Sequence, residues 1–131
     1  MIAVAGELVL IVDDNEKNVK LARDVLRFAG FRTLEARTGG EGISLAVEHT
    51  PDVILMDIRL PDMDGSEAVH RLKDEPRTAR IPVVAVTSFA MKGDRERFLA
   101  EGFDGYLEKP ISVREFPDQV RSYCPAEEGT P

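Results

Sequence analysis

Two short apolar segments of this chain end abruptly on aspartates. The run Leu8–Val12 stops at Asp13 and Asp14, and the run 53–56 stops at Asp57. Short runs rich in branched apolar residues are typical of strands that are buried on both faces, as in a parallel sheet. The pattern therefore predicts that three carboxylates emerge where two buried strands end.

Three carboxylates at one edge of a sheet repel each other strongly. At ~4 Å and an effective dielectric constant of ~20, each pair of like charges costs about 4 kcal/mol. A domain whose net stability is only about 5–15 kcal/mol does not leave such a cost unanswered without reason. A bound divalent cation is the simplest answer, so the sequence predicts a metal site.

Strand-like runs and helical patterns alternate five times along the chain. Predicted strands cover 8–12, 31–36, 53–56, 83–86 and 105–108, and predicted helices cover 15–29, 40–49, 66–74, 92–101 and 113–123. Because proline is tolerated only in the first turn of a helix, Pro117 predicts a late start or a kink in the last one. Five βα units are too few for a closed barrel. They predict an α/β fold, an open doubly wound five-stranded parallel sheet of flavodoxin-like order 2-1-3-4-5, flanked by five helices.

Length and charge limit the classes of function. The 131 residues suit one domain, with 43% hydrophobic and 31% charged residues, and no apolar run approaches the ~18 residues of a membrane span. A net charge of −7 argues against nucleic-acid binding, because phosphates need basic partners. The chain start does not resemble a signal peptide, and the single cysteine, Cys124, receives no role. We expect a cytoplasmic protein.

A hydroxyl and an ammonium group follow two further predicted strands. Thr87 comes after the fourth strand and Lys109 after the fifth. Taken alone, these are more often a loop hydroxyl and a solvated lysine, and Asp14 or Asn15 could simply cap a helix. Because the strand ends converge, their joint placement favours phosphoryl chemistry, in which a carboxylate attacks phosphorus while a metal and a cation disperse charge. Asp57 is the best candidate nucleophile, and Mg²⁺ is the natural ion.

These landmarks resemble a known family. They are Ile11-Val-Asp13-Asp14-Asn15, Leu55-Met-Asp57-Ile-Arg-Leu-Pro61-Asp-Met-Asp-Gly65, Ala85-Val-Thr87-Ser88 and Glu108-Lys109-Pro110. In this order and spacing they resemble the receiver domain of two-component response regulators, of the CheY-like superfamily. The segments 89–94 and 109–112 resemble DivK-type single-domain regulators. The resemblance covers 8–123, leaving 1–7 as a short N-terminal tail and 124–131 as a flexible C-terminal tail.

The resemblance implies a role for each charged residue. Asp57 would be the phosphoacceptor, with the phosphoryl group coming from a histidine kinase or a histidine phosphotransfer protein. Asp14 and Asp57 would bind Mg²⁺ directly together with the Arg59 backbone carbonyl, and Asp13 would act through water. Lys109 would pair with the phosphoryl group. The chain would then be a phosphoacceptor signalling switch that assists its own phosphorylation and dephosphorylation, rather than an enzyme.

A two-residue switch is also implied by the resemblance. Thr87 would move towards the phosphoryl oxygens while Tyr106 changes rotamer, and the output would be contact with a downstream protein target. The alternative for Tyr106 is an ordinary half-buried strand aromatic. The Lys109–Pro110 bond is expected to be cis, because only an X-Pro bond adopts that form at low cost.

The first helix suggests where a partner docks. Leu21, Val25 and Phe28 form an apolar line beside the core stripe, which indicates either a docking face or a broad core. By resemblance, the phosphodonor would pack against Lys17, Asn18, Leu21, Pro110 and Ile111. We expect no nucleic-acid or membrane partner, and a monomer or weak homodimer.

Individual residues argue against the alternative functions. Phosphatases of the haloacid-dehalogenase type also use a strand-end aspartate with Mg²⁺, but they need a second acid where Arg59 stands. A flavodoxin-like cofactor would bring phosphate to Asp13 and Asp14, which would repel it. The segment 62–65 resembles part of a calcium loop without its remaining ligands, so a polar turn is predicted. Bulky Arg59 and Phe89, each two positions after a site residue, predict slow self-dephosphorylation.

Overall fold

A computed structural model of the chain describes residues 6–88 and 93–125. Strands and helices alternate strictly through this part of the chain. In order they are β1 (Leu8–Val12), α1 (Glu16–Phe28), β2 (Arg32–Ala36), α2 (Gly39–His49), β3 (Val53–Asp57), α3 (Gly65–Asp74), β4 (Val83–Thr87), α4 (Asp94–Glu101), β5 (Gly105–Glu108) and α5 (Phe116–Tyr123). None of these helices is long and apolar enough to cross a membrane.

The sheet confirms the predicted topology. Its five strands are parallel and lie in the order β2-β1-β3-β4-β5. Val12 on β1 pairs with Met56 on β3, so Asp13 and Asp57 leave the sheet side by side. Because β3 is the central strand and its neighbour β1 begins the other half of the sheet, this is the edge where the strand order reverses.

Successive side chains of the inner strands point to opposite faces of the sheet, so the core has two layers. Val9, Ile11, Val53 and Leu55 are buried on the face covered by α1 and α5. The neighbouring strand residues are buried on the opposite face, under α2, α3 and α4, and are Leu10, Val12, Ile54 and Met56. Burial on both faces explains why these strands read as continuous apolar runs.

Local chemistry sets where the helices begin and end. Asn15 caps α1, since its side chain accepts hydrogen bonds from the N–H groups of Lys17 and Asn18. The chain leaves α1 through Gly30 at φ +100°, a conformation that favours glycine. The last helix starts late, at Phe116, so that Pro117 falls in its first turn.

Some boundaries differ from the sequence prediction. Strands β3 and β4 each extend one residue further, so Asp57 and Thr87 are the last residues of their strands rather than the first of the following loops. The ladder with the neighbouring strands holds both backbones in place. The predicted start of the fourth helix at Lys92, the bulky Phe89 and most of the two predicted tails lie outside the described residues.

Candidate functional site

Three carboxylates meet at the carboxyl edge of the sheet. One oxygen from each of Asp13, Asp14 and Asp57 lies within 4.8 Å of the other two. Asp13 is buried, Asp57 is half-buried and Asp14 is exposed, so the cluster opens to solvent on one side. The backbone N–H of Asn15 donates to Asp13 Oδ1 over 2.9 Å and fixes that side chain. The structure thus brings together the acids that the sequence predicted to converge.

Lys109 closes the buried side of the cluster. Its Nζ atom lies 3.0 Å from Asp13 Oδ2 and 3.5 Å from Asp57 Oδ2. The lysine follows β5, and its backbone N–H donates to the Thr87 carbonyl over 2.8 Å. The next peptide bond, Lys109–Pro110, is cis. One ammonium against three carboxylates leaves the group with two uncompensated negative charges when all four are ionised.

The pKa of Asp57 is raised, because its carboxylate is partly shielded from water. Burial raises the pKa above its ordinary value of 3.8; Lys109 lowers it, and the nearby Asp13 raises it again. The backbone N–H of Arg59, which donates to Asp57 Oδ1 over 3.3 Å, opposes the rise. Because the net shift is upward, the folded protein disfavours the ionised form of Asp57 as long as nothing else neutralises it.

These donors suit a small, hard dication. Mg²⁺ prefers oxygen ligands, keeps several waters and is usually held by one or two carboxylates. The two uncompensated negative charges of the cluster attract such an ion, and its open side leaves space for the waters that the ion keeps. The Arg59 carbonyl, the further ligand implied by the sequence resemblance, belongs to the loop that leaves β3 directly beside Asp57.

The loop from β3 to α3 folds back on itself. Arg59 and Asp64 form an antiparallel bridge, and the N–H of Gly65 donates to the Ile58 carbonyl over 2.9 Å. A Cβ atom on Gly65 would lie 2.9 Å from Ile58 Cα and 3.0 Å from the Asp57 carbonyl, which explains the glycine. The predicted polar turn is therefore present.

Sequence reasoning missed one residue of this loop. Asp62 accepts hydrogen bonds from the N–H groups of Gly39 and Gly40, at the start of α2. The Asp62-Met-Asp64-Gly65 pattern offered only a weak calcium-loop resemblance as a signal. Its actual partners lie more than twenty residues earlier in the chain, where no sequence pattern connects them.

Thr87 and Tyr106 lie on neighbouring strands. Thr87 is almost completely buried at the end of β4. Tyr106 is half-buried and packs against Phe98 of α4, with ring centroids 5.7 Å apart and an angle of 50° between the rings. The tyrosine also lines a polar depression with Glu108 and Ser112.

An apolar cavity of about 60 Å³ adjoins the acid cluster. Asp13, Asp57 and Lys109 are among the residues that line it. The side chains that complete it include four of the five predicted docking residues, Asn18, Leu21, Pro110 and Ile111. Lys17, the fifth, is exposed in the first turn of α1, whereas Phe28 is 95% exposed at the opposite end of that helix.

Known proteins are similar to this chain in sequence or in fold. A profile of the family described as "Response regulator receiver domain" matches residues 9–121. The polar-differentiation response regulator DivK of Brucella ovis is 50% identical over 115 residues, which cover 88% of this chain and 94% of that protein. The receiver domain of a sensor histidine kinase from Pseudomonas aeruginosa PAO1, solved with a magnesium ion coordinated in its active site cleft, is 34% identical with a TM-score of 0.82 over 91% of this chain and 98% of that one. The chemotaxis response regulator CheY4 of Vibrio cholerae, at 24% identity, has the same fold with a TM-score of 0.84 over 90% of this chain and 98% of that one.

Proposed function

The chain belongs to the response regulator receiver domain family, the phosphoacceptor switches of two-component systems, and we propose that Asp57 is its phosphoacceptor. One observation carries the proposal. Asp57 ends the central strand within 4.8 Å of two further carboxylates and has the Lys109 ammonium 3.5 Å from its Oδ2 atom. This gives one group that can attack phosphorus and one cation that can receive the phosphoryl oxygens.

The transfer step follows from these positions. A carboxylate oxygen of Asp57 forms a bond to phosphorus while the bond from phosphorus to the donor breaks, and the electron pair leaves with the donor. Lys109 pairs with a phosphoryl oxygen and offsets its charge. Asp14 and Asp57, with the Arg59 carbonyl and with Asp13 through water, would hold Mg²⁺. When bound, this ion neutralises charge on the phosphoryl oxygens.

Phosphorylation then acts through Thr87 and Tyr106. The buried Thr87 hydroxyl moves to the new phosphoryl oxygens, and Tyr106 takes up the space that this movement frees. The phosphoryl group can shift the population only by its different contacts in the two states, here one or two charge-assisted hydrogen bonds. The half-buried position of Tyr106 against Phe98 supports a side chain with two rotamers.

The phosphodonor is a histidine kinase or a histidine phosphotransfer protein. Its helices dock over the cavity at the start of α1, so that a phosphohistidine reaches Asp57. Support comes from the cavity itself, because Leu21, Pro110 and Ile111 share it with Asp57 and Lys109. A separate downstream protein reads the switch, and the chain acts as a monomer or a weak homodimer.

A phosphatase of the haloacid-dehalogenase type has no support. Such an enzyme needs an acid two residues after its nucleophile to protonate the leaving group, and Arg59 occupies that position. The N–H of Arg59 donates to Asp57, but its side chain is cationic and cannot act as that acid.

Mass spectrometry tests the proposal directly. The protein is incubated with a small acyl phosphate and Mg²⁺, and the intact mass is measured. We expect one added phosphoryl group on the wild type, no addition to Asp57→Asn, and loss of the addition when Mg²⁺ is chelated. A phosphoryl group that persists on Asp57→Asn would refute the assignment.

A further inference from the structure

One carboxylate fastens the loop between β3 and α3 to a second helix. Asp62 Oδ1 accepts the Gly39 N–H over 2.8 Å, and Asp62 Oδ2 accepts the Gly40 N–H over 2.9 Å. These amides begin α2, where backbone N–H groups have no partner within the helix. Both oxygens of one side chain thus bind consecutive amides, 23 and 22 residues earlier in the chain.

The start of α2 has a cap of its own. Thr38 Oγ1 accepts the Glu41 N–H over 3.0 Å, and Glu41 Oε1 accepts the Arg37 N–H over 2.8 Å. The pair resembles a capping box, although Glu41 reaches back to the N–H of the residue before the cap rather than to that of Thr38 itself. The bonds to Asp62 therefore attach the loop to a helix end that also has hydrogen bonds of its own.

Packing brings the same two segments together. A Cβ atom on Gly39 would lie 2.6 Å from Cγ and 2.8 Å from Sδ of Met63. Glycine at this position lets the helix start approach the loop closely. The hydrogen bonds of Asp62 and the contact of Met63 thus hold the outer end of the loop against α2.

The inner end of the loop leads to the acid cluster. The Arg59–Asp64 bridge closes the loop into a small unit, and the N–H of Arg59 donates to Asp57. These two contacts connect the outer end of the loop to Arg59 and the acid cluster. That residue both contacts the acceptor carboxylate and supplies the backbone carbonyl assigned to Mg²⁺ under the proposed function.

We propose that Asp62 is a positioning residue, which holds the Arg59 backbone in place for Mg²⁺ binding and phosphoryl transfer by anchoring the loop to the start of α2. The inference rests on the proposed function of Asp57. The hydrogen bonds that the Asp62 carboxylate accepts from Gly40 and Gly39 also lower its pKa, so Asp62 stays ionised at neutral pH.

Two matched variants separate positioning from helix capping. Asp62→Ala and Thr38→Ala each remove a side chain that accepts N–H bonds at the same helix end, and both are expected to lower the melting temperature by a few degrees. Mg²⁺ affinity, measured by isothermal titration calorimetry with MgCl₂, should fall about tenfold for Asp62→Ala, as is common when a group that supports a metal ligand is lost. Thr38→Ala should keep the wild-type affinity. Asp62→Asn, which retains one acceptor oxygen, should lie between wild type and Asp62→Ala.

Hydrogen exchange without Mg²⁺ gives a second readout. The Gly65 amide, which closes the loop onto Ile58, should exchange faster in Asp62→Ala than in Thr38→Ala. If Asp62→Ala binds Mg²⁺ as tightly as Thr38→Ala, or if it leaves Gly65 exchange unchanged, the inference is overturned. If the wild type itself neither binds Mg²⁺ nor accepts phosphate, the proposed function fails instead, and Gly65 exchange still decides whether Asp62 holds the loop.

Discussion

Replacing Lys109 by methionine removes the ammonium that faces the acid cluster while keeping a side chain of similar length. The two ion pairs of Lys109 span 3.0 Å to Asp13 and 3.5 Å to Asp57. At an effective dielectric constant of about 20, these distances correspond to attractions of about 5.5 and 4.7 kcal/mol, which are upper limits. Since the lysine side chain is only 13% exposed, water cannot replace it fully.

Without Mg²⁺, the expected loss in the free energy of unfolding is about 3 kcal/mol. This is the lower end of the range measured when one partner of a buried ion pair is removed, because the cluster is open to solvent on the side of the exposed Asp14. The variant should also respond more strongly to Mg²⁺, since three carboxylates then attract the dication without an opposing ammonium. Saturating Mg²⁺ stabilises the wild type as well, so the stability difference shrinks only by the ratio of the two dissociation constants. Binding that is tenfold tighter in the variant would remove about 1.4 kcal/mol of its deficit.

Urea denaturation followed by circular dichroism measures both effects, since the chain has no tryptophan to serve as a fluorescent probe. Lys20→Met is the matched control, because Lys20 pairs with Asp24 over 3.1 Å but both side chains are mostly exposed. It should unfold near the wild-type midpoint, with the same response to Mg²⁺. If Lys109→Met is as stable as this control, or if Mg²⁺ leaves its deficit unchanged, the charge argument is wrong.

Three further outcomes are expected. Because the pKa of Asp57 is raised above 3.8 in the folded state, the folded protein binds this proton more tightly than the unfolded chain does, and the wild type loses stability as pH rises from 3.8 to the raised pKa. In denaturation without Mg²⁺, the free energy of unfolding of Asp57→Asn should therefore increase relative to that of the wild type as pH rises. A relative decrease over this interval would contradict the assignment. Leu21→Glu should slow phosphotransfer from a histidine phosphotransfer protein but not from a small acyl phosphate, whereas Phe28→Glu, at the far end of the same helix, should slow neither; equal loss with both donors would argue against docking at Leu21. Gly105→Ala should cost about 1–3 kcal/mol in urea denaturation, since its Cβ would meet the Tyr123 hydroxyl oxygen and ring, and an unchanged midpoint would mean that α5 moves freely.

The sequence was sufficient to predict the architecture for a physical reason. Strands buried on both faces read as uninterrupted apolar runs, and alternation with helices leaves few topologies for a parallel sheet. The adjacency of Asp13 and Asp57 then follows from the pairing of β1 with β3. Lys109 could likewise be placed at the same edge, because it follows β5.

Contacts between distant loops could not be predicted in this way. The bond from Asp62 to α2 depends on how far the loop reaches across the edge of the sheet, which no periodicity encodes. The sequence also did not predict which apolar side chains of α1 are exposed to solvent. Leu21, Val25 and Phe28 form one apolar line in the sequence, yet Val25 packs against the core, Leu21 borders the cavity and Phe28 is 95% exposed.

The ion pair between Asp13 and Lys109 joins residues that are 96 positions apart. Synthesis on the ribosome therefore delivers the two halves of this pair at very different times. Until the fifth strand has emerged and docked, a growing chain carries its aspartates without their cation. A copy that is truncated before the fifth strand consequently lacks the ammonium that offsets the charge of the acid cluster.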